Sequence, residues 1–231
     1  MFFKSPFLTL RKHIELNVYA AHAAVHQSNP LTVRSRSNYM KIAKGGCSGN
    51  QVSTCYGFIQ MLKKSAILHS WMDWDLIVFD DGAVSTMATL PPSLGVSNHT
   101  DTASDFSKRN GLLVVKCEPS LKVECAEDVQ FITSTPPFLS QKFVMPSGIL
   151  EFKHQHEINF FMYLEAKSSS KLSFKRGDQL LAITPLSDRP VNIQCHYDKK
   201  HHQYLVEKSF PLSKNNSYVK TKHISERPSD D

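Results

Sequence analysis

The amino-acid sequence predicts a mainly β protein: an antiparallel β-sandwich or barrel, jelly-roll-like, with one or two short helices. Three observations carry that expectation. Its apolar runs are short and rich in aromatic and branched residues, and clusters of Gly, Pro or Asp end them, which marks strands rather than helices. Only one segment spaces its apolar residues as a helix would. The strongest pair of runs, 158–164 (INFFMYL) and 179–184 (QLLAIT), lies inside the stretch 146–190 around which the chain is organised.

A polar spacer and a Lys175-Arg176-Gly177-Asp178 turn join those two runs. Gly177 tolerates the positive φ of a tight turn, and Asp178 can accept hydrogen bonds from nearby backbone amides. Pro185 has no amide hydrogen to give a ladder, so the second strand should end there or lie at an edge.

The remaining elements follow in chain order. Residues 15–26 predict a strand running into a short Ala-rich segment that Pro30 stops. The polar, basic passage 28–53, broken by Gly45-Gly46 and Ser48-Gly49-Asn50, reads as a surface connection. Thr54 stands at an N-cap position, and Cys55, Phe58, Ile59 and Leu62 follow on one helical face, with Lys63 and Lys64 placed to favour the C-terminal end of the dipole. Residues 74–79, an Asp80-Asp81-Gly82 turn and residues 83–90 predict a hairpin. Pro91-Pro92 opens a polar loop at 91–111. Residues 112–115, 121–125 and 129–133 have the rhythm of an antiparallel meander, which Thr135-Pro136-Pro137 ends. Residues 191–197 (VNIQCHY) alternate as a half-buried strand, and beyond them the composition turns to Lys, His, Ser and Asn. The expected organisation is a basic N-terminal segment at 1–53, a β-sandwich or barrel domain at 54–197, and a polar C-terminal arm at 198–231.

Bulk properties narrow the function classes. With 231 residues, 41% hydrophobic and 21% charged, the chain can build a core without disulfide staples. Its five cysteines, Cys47, Cys55, Cys117, Cys125 and Cys195, form no CxxC pair, which argues against a disulfide framework or a zinc ribbon and for synthesis in a reducing compartment. Lys4 and Arg11 interrupt the first apolar residues, so neither a signal peptide nor a membrane partner is expected. The glycosylation-type triplets at Asn98 and Asn215 carry no weight without secretion. Residues 1–70 hold nine Lys or Arg against the single acid Glu15. Such a segment suits nucleic acid or an acidic protein surface, and it bears on association more than on fold.

No complete catalytic set is legible. There is no Gly-x-Ser-x-Gly, no phosphate-binding glycine loop and no cysteine in a His-paired signature. Asp73, Asp75, Asp80 and Asp81 cluster around the hairpin, where Asp is favoured for backbone hydrogen bonds and no glutamate follows at EF-hand spacing. No cofactor is expected.

Cys55-Tyr56-Gly57-Phe58-Ile59, Ser147-Gly148-Ile149 and Gly177-Asp178 with Pro185, taken in that order over residues 15–197, resemble a group of uncharacterised proteins of tailed phages. His154 and His156 depart from that pattern, which has an acidic or tyrosine-bearing turn there. The resemblance implies a viral origin, a β fold, synthesis in a host cytoplasm and a place in a virion or assembly among other protein subunits. Gly148-Ile149-Leu150-Glu151 and Gly177-Asp178-Gln179-Leu180-Leu181 are similar to the core of the dUTPase-type barrel, although the carboxylates that would hold Mg²⁺ on a nucleotide are missing. Gly148-x5-His154-x-His156 with Gly177-Asp178-x6-Pro185 is similar to part of the cupin pattern. That resemblance implies, as an alternative, a metal-dependent enzyme using His154, His156 and His196. The expectation the residues favour is a non-enzymatic protein that binds other proteins in an assembly.

Overall fold

The computed structural model describes residues 13–33, 56–81, 83–88, 94–99, 111–136, 143–165 and 170–214. Among them the elements run β1 (Ile14–Ala20), α1 (Ala23–Ser28), β2 (Leu31–Val33), α2 (Tyr56–Lys64), β3 (Ala66–His69), β4 (Trp74–Val78), β5 (Val84–Ala88), β6 (Leu94–Asn98) and β7 (Leu112–Pro119). They continue with β8 (Leu121–Glu124), β9 (Phe131–Ser134), β10 (Ile149–Leu150), β11 (Phe160–Glu165), β12 (Ser170–Phe174), β13 (Gln179–Pro185), β14 (Val191–Tyr197) and α3 (Lys199–Lys214). The fold is mainly β and sandwich-like, as the sequence predicts.

Four sheets share one core. Their strand orders are β14-β1-β8, β10-β9-β13-β3-β2, β11-β7-β6 and β12-β4-β5. Among the described residues, all pairings are antiparallel except that of β1 with β14. Strand β1 shows why the pattern works: Ile14, Leu16, Val18 and Ala20 are buried while Glu15, Asn17 and Tyr19 alternate to the other face, as a two-residue side-chain period requires. Strand β13, the middle of five, buries every residue from Leu180 to Pro185, and this two-sided burial is the physical meaning of its unbroken apolar run. The run does end at Pro185, paired with Phe131. Aromatic pairs fill the interior, with Trp74 stacked on Phe174 at 4.1 Å and Phe131 against Phe152 at 5.1 Å.

The turn at Lys175 to Asp178 is held from both sides. The Gly177 amide donates to the Ser70 carbonyl at 2.8 Å and the Arg176 amide to the Asp73 carboxylate at 2.8 Å. Asp178 caps the turn by accepting from the Lys175 amide at 2.7 Å, and Gly177 takes φ +91°. The hairpin is also present, from Trp74 opposite Ala88 to Val78 opposite Val84, with Asp81 accepting from the Ala83 amide at 2.8 Å. Helix α2 covers the central sheet through Leu62, which is fully buried. The Ser65 hydroxyl after it lies 2.6 Å from that of Thr184 on β13. The expected cap Thr54, the stripe residue Cys55 and the connection at 34–53 lie outside the described residues.

Several expectations are corrected. Residues 112–134 form no meander: β7, β8 and β9 belong to three different sheets. Only Ser120 separates β7 from β8, and one residue cannot make the two-residue reversal of a hairpin, so the chain passes from one sheet into another. The two central runs lie in different sheets, β11 beside β7 and β13 between β3 and β9. The spacer between them contributes β12, and the polar passage 91–111 contributes β6. The segment 1–53 supplies β1 and β2 to the sheets. The expected C-terminal arm begins as helix α3, which packs on β1 and β8 with Leu205 fully buried and Ser209 at 5% exposure.

Candidate functional site

The three candidate histidines sit in three different environments. Residues after β10 form a turn rather than a strand, so the alternation that would set His154 and His156 on one face does not apply. His156 is fully buried, and its Nδ1 lies 3.1 Å from the Val123 carbonyl. A carbonyl only accepts, so Nδ1 carries the proton and the buried Nε2, which has no partner among the described residues, is a bare lone pair. Burial holds its pKa below the usual histidine value despite the bond to Val123. His156 is thus a neutral core residue.

His196 lies on β14, where its Nε2 is 3.1 Å from the Asn17 side chain. Its ring stacks on Tyr19 at 5.1 Å, and His201 covers that tyrosine at 4.2 Å. His201 in turn lies 3.3 Å from Glu124. Burial, and then the charges of Glu124 and Asp198, raise the Tyr19 pKa. Asp198 caps α3 by accepting from the Lys200 and His201 amides at 2.9 and 3.0 Å, the role short polar residues take at helix starts. This ladder of rings docks the helix.

His154 meets two carboxylates instead. Among the described residues, Asp128, Glu151 and His154 place one potential ligand atom each within 4.8 Å of one another. Neither acid stood out in the sequence as a ligand. Glu151 was visible only as the acid of a Gly-Ile-x-Glu turn, and Asp128 is separated from it by more than twenty residues, with no spacing rule to link them.

The acids of the hairpin region are structural. Asp73 holds the Lys175–Asp178 turn, Asp75 pairs with Lys171 at 2.8 Å and accepts from Ser173 at 2.6 Å, and Asp81 closes the β4–β5 reversal. The described cysteines are poor nucleophiles. Cys117 and Cys125 are buried, and burial raises the pKa of both, and of Cys195, above the usual thiol range. Ser65 and Ser70 spend their hydroxyls on Thr184, Met61, Met72 and Trp74.

One sheet face carries exposed apolar side chains among polar ones. On β4, Trp74, Leu76 and Val78 point into the core, so Asp75, Ile77 and Phe79 share the outer face. Met87 lies opposite Asp75, and Ser85 opposite Ile77. Phe79 is 48% and Met87 60% exposed. Lys171 and Ser173 of β12 border this stripe. The basic side chains of residues 34–44 lie outside the described residues. Among the described residues, no helix is long and apolar enough to cross a membrane.

No protein-family model matches this chain, and no curated protein sequence matches it.

Proposed function

We propose that this protein is a non-enzymatic, virus-encoded β-sandwich that works by binding other protein subunits in a particle or assembly. The observation that carries the reading is the outer face of the β12-β4-β5 sheet, where Phe79, Ile77 and Met87 run diagonally across β4 and β5 and the Asp75–Lys171 ion pair lies beside them. Phe79 at the turn end and Met87 at the other end flank Ile77, and exposed aromatic and methionine side chains are enriched in protein-binding patches. The partner suited to it is a protein subunit that offers apolar side chains at the centre and polar ones around them. The buried thiols and the structural use of the hairpin acids support a binding role over nucleophilic catalysis. The viral setting rests on the resemblance to tailed-phage proteins.

Burying a large apolar side chain contributes about 1.5–3 kcal/mol. Phe79→Ser with Met87→Ser should therefore weaken partner binding by well over an order of magnitude while leaving the fold intact. The experiment is mass spectrometry of purified particles from cells producing either form, with sedimentation of the isolated protein in parallel. Wild type should be in the particles and the double variant depleted. Wild-type protein that is monomeric and absent from mature particles would remove the proposal. Self-association through the stripe would make the occupant a second copy of the chain.

A further inference from the structure

We propose that Asp128, Glu151 and His154 form a site for one divalent first-row transition cation of the Zn²⁺ or Mn²⁺ kind. This site is distinct from the outer stripe and does not depend on the binding role proposed above. The donor set is one imidazole nitrogen and two carboxylates, without thiolate. An imidazole favours transition ions over Ca²⁺ and Mg²⁺, which take mostly oxygen, and the missing thiolate removes the soft ligand that selects Cu(I) or iron–sulfur clusters.

The spacing nearly closes on an ion. With bonds of about 2.0–2.2 Å at tetrahedral angles, donors on one ion lie about 3.3–3.6 Å apart; the three atoms here lie within 4.8 Å of one another, so the ligands draw together by up to about 1.5 Å when an ion enters. The exposed Asp128 side chain is the donor with most freedom to make that movement. The other two donors are held in place. The Glu151 carbonyl accepts from the His154 and Gln155 amides at 3.0 and 2.8 Å, fixing the turn that sets the imidazole beside its own upstream carboxylate. Glu151 is 5% exposed, and its Oε1 accepts from Gln130 Nε2 at 2.5 Å. An outer amide that orients a ligating carboxylate is a recurring feature of metal sites.

The residue before Asp128 is anchored too, since the Glu127 carboxylate pairs with Arg189 at 2.5 Å. An ion would therefore clip the segment between β8 and β9 to the turn after β10. Among the described residues, the Lys153 ammonium lies 3.8 Å from Asp128, with both side chains exposed. Such a pair is loose and water-screened, so an ion displaces it readily. The exposed side of the site leaves coordination positions for water or a ligand.

The test uses the full chain without a histidine tag, stripped with chelator and dialysed against Zn²⁺ or Mn²⁺ alone. Metal per chain is then measured by elemental analysis, with affinity by competition against a chromogenic chelator. Wild type should hold one ion per chain more than Asp128→Asn with His154→Gln, while His201→Gln, a histidine outside the site, should match wild type. Gln130→Ala should weaken affinity by about 10–100-fold, the effect of losing an outer-shell partner. Lys153→Ala should bind as tightly as wild type or more so. Asp128 is exposed and His154 half-buried, so the double variant should melt close to wild type in metal-free buffer; Gln130→Ala takes a donor from the buried Glu151 carboxylate and should melt lower, so its affinity is measured well below its transition, and it serves if the double variant does not fold. Equal metal content in wild type and the double variant would overturn the site. So would unchanged affinity in Gln130→Ala, or tighter binding of Ca²⁺ than of Zn²⁺.

Discussion

Replacing Leu205 by Ala asks whether the C-terminal helix is part of the folded body or an appendage. Leu205 is fully buried, on a helix that packs against β1 and β8. The substitution removes three carbon atoms, each contributing about 0.8 kcal/mol when buried, which gives about 2.4 kcal/mol. Incomplete collapse around the gap would raise this toward the upper part of the range of about 2–5 kcal/mol for such changes. The helix rests on two strands rather than in the central core, so its own docking energy caps the loss, and about 2–3 kcal/mol is expected. The assay is urea unfolding followed through the buried Trp71 and Trp74, with midpoints compared at equal slope. Tyr204→Ala, one position away and 51% exposed, serves as the control and should change stability by less than about 0.5 kcal/mol. Equal midpoints for Leu205→Ala and wild type would refute the docking argument.

His202 on the same helix has a pKa lowered by burial first and by Lys122 next, and its buried Nε2 has no partner. The unfolded chain therefore binds a proton that the folded chain resists. Stability contributed by neutral His202 is present above about pH 6.5 and is lost as pH falls toward the lowered folded value. After correction for the slower intrinsic exchange at low pH, protection of the α3 amides should fall from pH 7.5 to 5.5 in wild type and less so in His202→Asn; an equal fall in both would count against it. Gly177 at φ +91° has open space where a Cβ would stand, so Gly177→Ala tests backbone strain alone and should cost about 1–2 kcal/mol in thermal unfolding. No loss would show that the turn relaxes freely. Native protein at pH 8 should leave Cys117 unlabelled by an aromatic disulfide reagent until denaturant is added, read by peptide mass spectrometry, whereas rapid labelling would contradict its burial.

The strands themselves were legible because burial leaves a local trace. Residues 74–79, 179–184 and 191–197 alternate or run apolar according to whether one face or two are covered, and Asp81, Gly177 and Pro185 mark their ends. Pairing left no such trace. That β1 lies beside β14 depends on residues more than 170 positions apart, and that β7 does not fold back on β8 depends on Ser120 being too short a link to reverse the chain. Helix α3 was missed because half of its segment is Lys, His and Ser and Pro211 interrupts its helical pattern, with Leu205 the large apolar side chain that is buried among the residues whose burial is described.

The amino-acid order by itself determined the mainly β class, the hairpin, the turn at Gly177 and the lack of a nucleophile signature, since each follows from neighbours within about ten residues and from backbone sterics. Tertiary structure alone decided which sheet each strand joins, that His156 is a neutral core group while His154 faces Asp128 and Glu151, and that Phe79 and Met87 stay outside. Those outcomes depend on long-range packing: an imidazole becomes a buried acceptor or a potential ligand only through what the rest of the chain sets around it.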